Sequence, residues 1–118
     1  MAIITSHVLN GTDGSHAGGI KVSLKNLSGN KNVFECKMDV GGRLNKTIPV
    51  EELNEDSIYE LTFKTGEYWR KKTRYESKNI IDEIVIRFKM PDKSKKYHFP
   101  IILSQNSYST WWSRGEKI

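Results

Sequence analysis

Apolar and polar residues alternate with a period of two along most of this sequence, a pattern typical of half-buried β-strands. Four stretches show it clearly. Their apolar faces are Ile20, Val22 and Leu24; Tyr59, Leu61 and Phe63; Ile84, Ile86 and Phe88; and Tyr97, Phe99, Ile101 and Leu103. Weaker alternation predicts further strands at 3–9, 32–38, 42–49 and 107–112. Many short strands separated by turn residues predict an all-β fold, a two-sheet antiparallel β-sandwich of seven or eight strands.

One stretch does not alternate. Residues 67–79, with the sequence EYWRKKTRYESKN, are polar, contain no Gly or Pro, and follow Gly66. This composition predicts one short helix. We find no linker, internal repeat or low-complexity tract, so we expect a single domain spanning residues 1–118.

Composition excludes several classes of protein. A single cysteine, Cys36, rules out an internal disulfide framework and a thiolate zinc cage within one chain. No apolar run approaches the roughly 20 residues needed to cross a bilayer. The first residues lack the basic start and long apolar stretch of a signal peptide. We therefore expect a cytoplasmic protein with no membrane partner.

The formal net charge is +5, which favours an anionic partner of some kind. Basic runs at 70–72 and 93–96 have aromatic neighbours, and such a combination could form a nucleic-acid surface. Solvated loops explain these runs more simply. We expect no nucleic-acid partner.

Three histidines offer acid–base chemistry near neutral pH. By alternation, His7 shares a face with Thr5 in the first predicted strand, and His98 lies on the polar face of its strand. His16 lies in a loop, DGSHAGG. Taken singly, each is more commonly a structural or solvated histidine than a catalytic one, and His16 most of all.

Arg43 follows Gly41 and Gly42, which permit a tight turn or a bulge that re-aims the next side chain. Its guanidinium is then either solvated or a planar clamp for a carboxylate or an oxyanion. Acidic residues and histidines do not occur at metal-ligand spacing, and the serines lack a nucleophile-elbow motif. The sequence therefore predicts no metal site.

Four segments carry a resemblance to a known family: SHVLN at 6–10, GGRL at 41–44, YELTFKTGEYW at 59–69 and YHFPIILSQNSYST at 97–110. With the GIKVSL strand they span nearly the whole chain. They resemble the transthyretin-like proteins and, within them, the 5-hydroxyisourate hydrolases of purine breakdown. The resemblance implies a transthyretin-like Greek-key sandwich and a homotetramer with its sites in a channel between subunits.

In that family the hydrolases differ from the hormone-carrying transthyretins by two histidines and one arginine, which correspond here to His7, His98 and Arg43. The resemblance implies that these three residues are catalytic. His98 and His7 would jointly activate water and transfer protons, and Arg43 would hold the anionic substrate or the oxyanion. Such a site needs no metal and no cofactor. The expected partner is a small purine-derived substrate.

The C-terminal tail departs from the family's pattern. The hydrolases typically continue with Tyr-Arg-Gly-Ser directly after the pair that matches Ser109 and Thr110, but here Trp111 and Trp112 follow and Arg114 stands two places late. We assign substrate binding to Ser109, Thr110, Trp111 and Arg114. Two consecutive tryptophans on a strand would face opposite ways, so at least one is expected to be buried against another layer or another chain.

The altered tail leaves two alternatives to a 5-hydroxyisourate hydrolase. One is a non-catalytic transthyretin-like protein that holds an aromatic or anionic ligand in the central channel. The other is a related hydrolase with a shifted substrate.

Overall fold

The computed structural model describes residues 1–72, 79–112, 114 and 116–117. Two sheets form a sandwich with one short α-helix, which confirms the predicted fold class. The elements are β1 Ala2–Asn10, β2 Lys21–Asn26, β3 Lys31–Lys37, β4 Arg43–Ile48, a 3₁₀ turn Val50–Glu52, β5 Tyr59–Phe63, α1 Thr65–Lys72, β6 Ile84–Phe88, β7 Lys95–Ser104, β8 Ser107–Thr110 and β9 Glu116–Lys117. All eight predicted strands are present. The two-residue strand β9 makes nine within the described residues.

One sheet has the strand order β4-β1-β7-β8, with β9 also paired to β7, and the other has the order β3-β2-β5-β6. Every pair is antiparallel except β1 with β7, which is parallel. The sequence pattern does not indicate this pair, because side chains alternate with the same period in both kinds of ladder. As a result the first strand and the longest late strand lie side by side at the centre of their sheet.

The core lies between the sheets and takes one face of each strand. In β1, Ile4 and Val8 are fully buried, and Ser6 on the same face is satisfied by donating to the carbonyl oxygen of Phe99 at 2.6 Å. Tyr59 and its neighbours in β5 supply the opposite wall. Each large apolar side chain buried in this way stabilises the fold by about 1.5–3 kcal/mol. The core therefore uses the inner face of β1, while Thr5 and His7 lie on the outer face together with the apolar Ile3 and Leu9.

The helix α1 begins two residues before the predicted start at residue 67, and residues 73–78 of the prediction lie outside the described residues. Trp69 anchors the helix because only 4% of it is exposed and it belongs to the core. Its neighbour Tyr68 accepts a hydrogen bond from Asn10 at the end of β1. In the part of the chain that the structure describes, no helix is long and apolar enough to span a membrane.

A tight turn before β4 requires glycine at position 42. Gly42 has a φ of +69°, and a Cβ there would lie 2.6 Å from the carbonyl oxygen of Val8 and 3.1 Å from the backbone nitrogen of Ala17. The close approach allows the Val8 backbone N–H to donate to the Gly42 carbonyl oxygen at 2.8 Å. Gly42 therefore holds the start of β4 against β1.

We expect Gly42→Ala to lower the free energy of unfolding by about 2–4 kcal/mol, because left-handed strain of about 1–2 kcal/mol is joined by a clash with backbone that no side-chain rotation relieves. Gly14→Ala is the matched control, since Gly14 has a φ of +75° with nothing within 4 Å of its added Cβ. Urea denaturation at one protein concentration measures both. Equal losses in the two variants would show that the contact with Val8 contributes nothing.

Candidate active site

Three neighbouring strands place the predicted catalytic residues on one face of the sandwich. In the antiparallel β4–β1 pair His7 lies directly opposite Arg43, and in the parallel β1–β7 pair Thr5 lies opposite His98. Residues two apart on a strand share a face, so Thr5 and His7 point the same way. His7, Arg43 and His98 therefore come together on the outer face of the β4-β1-β7-β8 sheet, although they are distant in the sequence.

The ring of His98 is held by Thr5, a residue that no sequence motif marks. Nδ1 of His98 lies 2.8 Å from the hydroxyl oxygen of Thr5, directly across the β1–β7 pair. A hydroxyl can donate to or accept from an imidazole nitrogen, so this contact fixes the ring in either tautomer.

The surroundings of His7 favour its neutral imidazole. Partial burial lowers its pKa below the ordinary value of 6.5, and the positive charge of Arg43 acts in the same direction. His16 and His98 lower the pKa further, whereas a hydrogen bond to the backbone of Gly41 opposes the change. A neutral imidazole can accept a proton, as a general base must.

Arg43 is aimed by the turn that precedes it. One carboxylate oxygen of Asp39 accepts hydrogen bonds from the backbone N–H groups of Gly41 and Arg43, each at 2.9 Å. The turn thus starts β4 with Arg43 directly opposite His7. Among the described residues no carboxylate forms an ion pair with this guanidinium. Arg43 is exposed, and its N–H fork is open to an anionic ligand.

A shallow depression of about 320 Å³ opens beside these groups. Arg43, Lys96 and His98 line it together with Thr5 and Asp39, whereas His7 lies outside its lining. Its volume is within the range of small-molecule sites, and its two cationic side chains favour an anion. No three metal-ligating side chains gather anywhere in the described residues.

The model of the HIUase/Transthyretin family matches residues 4–115 of this sequence. The chain belongs to this family. The match includes all three strands of the site and most of the tail.

Individual members of the HIUase/Transthyretin family are similar over nearly their full length. A protein from Pseudomonas aeruginosa named 5-hydroxyisourate hydrolase is 28% identical over 114 residues, which cover 94% of this chain and 90% of that protein. One of the same name from Halalkalibacterium halodurans is 30% identical, with 92% and 94% covered. The structure of Klebsiella pneumoniae 5-hydroxyisourate hydrolase has a TM-score of 0.78 at 22% identity, covering 97% of this chain and 100% of that one, and so shares the fold.

Two of the four predicted substrate-binding residues, Ser109 and Thr110, lie on β8. Ser109 lies opposite Ile102 on the outer face, farther along β7 than His98. The Thr110 hydroxyl donates to the carbonyl oxygen of Pro100 at 2.9 Å. Neither residue lines the depression within this single chain. Their role in binding remains a prediction.

The two tryptophans are not buried in this chain. Trp111 and Trp112 are 53% and 51% exposed, and both follow the end of β8. The ring of Trp112 stacks on Tyr97, with centroids 6.3 Å apart and planes inclined by 20°. Full burial of either indole would therefore need another chain.

The C-terminal tail pairs with β7 at two places, one on each side of His98. Thr110 pairs with Ile101, and Glu116 pairs with Lys96. Between these two pairings β7 has four residues and the tail has five. Arg114, which is exposed, belongs to this interval. A substrate-binding role for Trp111 and Arg114 remains a prediction.

His16, which was expected to be a solvated loop residue, lies against His7. Nδ1 of His16 is 2.9 Å from Nε2 of His7, and the two rings stack with centroids 5.0 Å apart. The loop after β1 folds back so that His16 forms a bridge with Leu9. The Asp13-Gly14 turn signal so soon after β1 indicated such a reversal, but not which loop residue would meet His7.

Proposed function

We propose that this protein hydrolyses 5-hydroxyisourate in purine degradation, by metal-free attack of water on a ring carbonyl. The observation that carries the proposal is the convergence of His7, Arg43 and His98 on one open sheet face. Relatives named 5-hydroxyisourate hydrolase, matched over nearly their full length, support the same activity.

The reaction needs a proton acceptor and a cation near one carbonyl. The water oxygen bonds to the carbonyl carbon while one water proton passes to an imidazole. The carbonyl oxygen becomes an oxyanion, which a guanidinium stabilises in the transition state. The C–N bond then breaks, the carbonyl re-forms as a carboxylic acid, and the leaving nitrogen takes a proton from the imidazolium.

The site residues divide these tasks by position. His98, oriented by Thr5, and His7, kept neutral beside Arg43, jointly activate water and return the proton. Arg43 holds the anionic ring and the oxyanion, because its fork carries parallel N–H donors. Ser109, Thr110, Trp111 and Arg114 complete the binding surface from the β8 side.

The active form is a homotetramer in the cytoplasm, with each site closed by a neighbouring subunit. The depression is open to solvent in one chain, and a closed site would strengthen every charge interaction in it. Ile102 and Tyr108, each 42% exposed, extend the apolar area formed by the two tryptophans. Light scattering after size exclusion measures the mass, and a monomer with full activity would contradict the subunit arrangement.

The test is the decay of freshly generated 5-hydroxyisourate, followed by ultraviolet absorbance with and without the protein. We expect acceleration over the spontaneous reaction, with an acid limb whose midpoint lies below pH 6.5. The sign follows from the lowered pKa of His7, because its imidazole stays unprotonated to a lower pH than a free histidine. Decay at the spontaneous rate would reject the function, and saturable ligand binding without turnover would point to a binding protein.

A further inference from the structure

His7 and His16 form a direct contact that the proposed hydrolysis does not use. The two nitrogens, Nε2 of His7 and Nδ1 of His16, are 2.9 Å apart, which is hydrogen-bond distance. Between two neutral imidazole nitrogens only one carries the hydrogen, so the pair shares a proton position. The ring planes differ by only 24°, and the stacked rings restrict each other's rotation.

The backbone holds His16 in this position. The loop after β1 is tied to that strand by the Leu9–His16 bridge and by hydrogen bonds from Ala17 N–H to the Val8 carbonyl at 2.9 Å and from Asn10 N–H to the Ser15 carbonyl at 2.8 Å. These bonds lie on both sides of His16. The backbone at His16 is therefore placed by the fold, and the stacking on His7 orients its ring.

His16 also connects the site to solvent. The residue is exposed, whereas His7 is half-buried between β4 and β7. A proton taken up by His7 would sit near the charge of Arg43 on β4, and Arg43, His16 and His98 all disfavour the protonated form of His7. The carboxylate of Asp39 is the acidic group on this side, and it is engaged by backbone N–H groups. The electrostatic surroundings thus favour passing the proton on.

We propose that His16 is a positioning residue for His7 and the group with which His7 exchanges its proton during turnover. The inference rests on the proposed function. When His7 has taken up a proton from water and become an imidazolium, the proton on its Nε2 moves to Nδ1 of His16, and the other nitrogen of His16 releases a proton to solvent or buffer. The reverse path returns a proton when the leaving nitrogen needs one, so protons balance over the cycle.

The experiment compares His16→Ala and His16→Asn with the wild type in dilute buffer. Asparagine keeps a hydrogen-bonding atom near the position of Nδ1 but cannot take up a proton. We expect kcat to fall by about 10- to 100-fold in both variants, below the roughly 10²–10⁴-fold loss of a direct general base, with KM changed less than twofold. Added imidazole should restore the rate of both variants and leave the wild type unaffected.

Ser15→Ala is the control for the loop, because the Ser15 hydroxyl donates to Asp13 and does not touch His7. It should keep the wild-type kcat. Wild-type activity in His16→Ala, or a loss that imidazole does not relieve, would overturn the proton-exchange role while leaving the proposed function standing. Inactive wild-type protein would instead reject the proposed function.

A second measurement does not depend on turnover. Histidine resonances followed by NMR against pH should show His7 titrating in two coupled steps in the wild type and in a single step in His16→Asn, because interacting sites share their titration. An unchanged His7 curve would show that the two imidazoles do not communicate, and it would overturn the inference whatever the enzyme assay gives.

Discussion

Replacing His98 by alanine is expected to lower kcat/KM for 5-hydroxyisourate by about 10²–10⁴-fold, the range for loss of a general base. The physical reason is that His98 lies on the open face of the sheet beside Arg43, with its ring oriented by the Thr5 hydroxyl. Initial rates of substrate decay, corrected for the spontaneous reaction, measure the effect.

The His98→Asn variant separates chemistry from positioning. An asparagine amide can occupy the place of Nδ1 and bond Thr5, but it does not titrate. We expect it to be as inactive as His98→Ala while keeping the same unfolding curve. Recovery of activity in His98→Asn would mean that His98 only orders the sheet face, and an active His98→Ala would remove it from the mechanism.

Replacing Arg43 by alanine is expected to lower kcat by about 10²–10³-fold, as loss of a single oxyanion donor does. The variant should also move the acid limb of the activity to higher pH. The positive charge of Arg43 lowers the pKa of His7, so removing it raises that pKa and protonates the base sooner as pH falls. Rates measured between pH 5 and 9 test both effects.

Arg43→Lys and Arg87→Ala are the companions to this experiment. Lysine keeps the charge but lacks the planar fork, so we expect partial activity and an acid limb close to that of the wild type. Arg87 pairs with Glu60 on the other sheet, and its loss changes the net charge equally without touching the site. A similar loss in Arg87→Ala would indicate a general effect of charge and would contradict a clamp at Arg43.

The alternation of apolar residues predicted where the strands lie but not how they pair. Each strand that carries the core, such as β5 with Tyr59, Leu61 and Phe63, places its pattern inward as expected. The pattern could not predict that β1 and β7 are parallel neighbours, because strand pairing depends on the tertiary fold and not on the alternation within each strand. The strand β9 was also missed, since two residues are too few to show a period.

The site was predictable only in part, for a related reason. His7, Arg43 and His98 could be selected through their surrounding motifs, and the pairing of His7 with Arg43 follows once β1 and β4 are known to be partners. Thr5 and His16 carry no motif. Their contacts arise from the β1–β7 register and from a loop that folds back onto β1, and both are decided by tertiary structure.

The side-by-side placement of β1 and β7 has a consequence for biosynthesis. The ribosome completes β1 at Asn10 and does not begin β7 until Lys95, so this sheet cannot form its central pair before the intervening segments have been made. A high contact order of this kind slows folding and leaves apolar edges uncovered in the meantime. The nascent chain is therefore exposed to aggregation until the segment that carries His98 has been made.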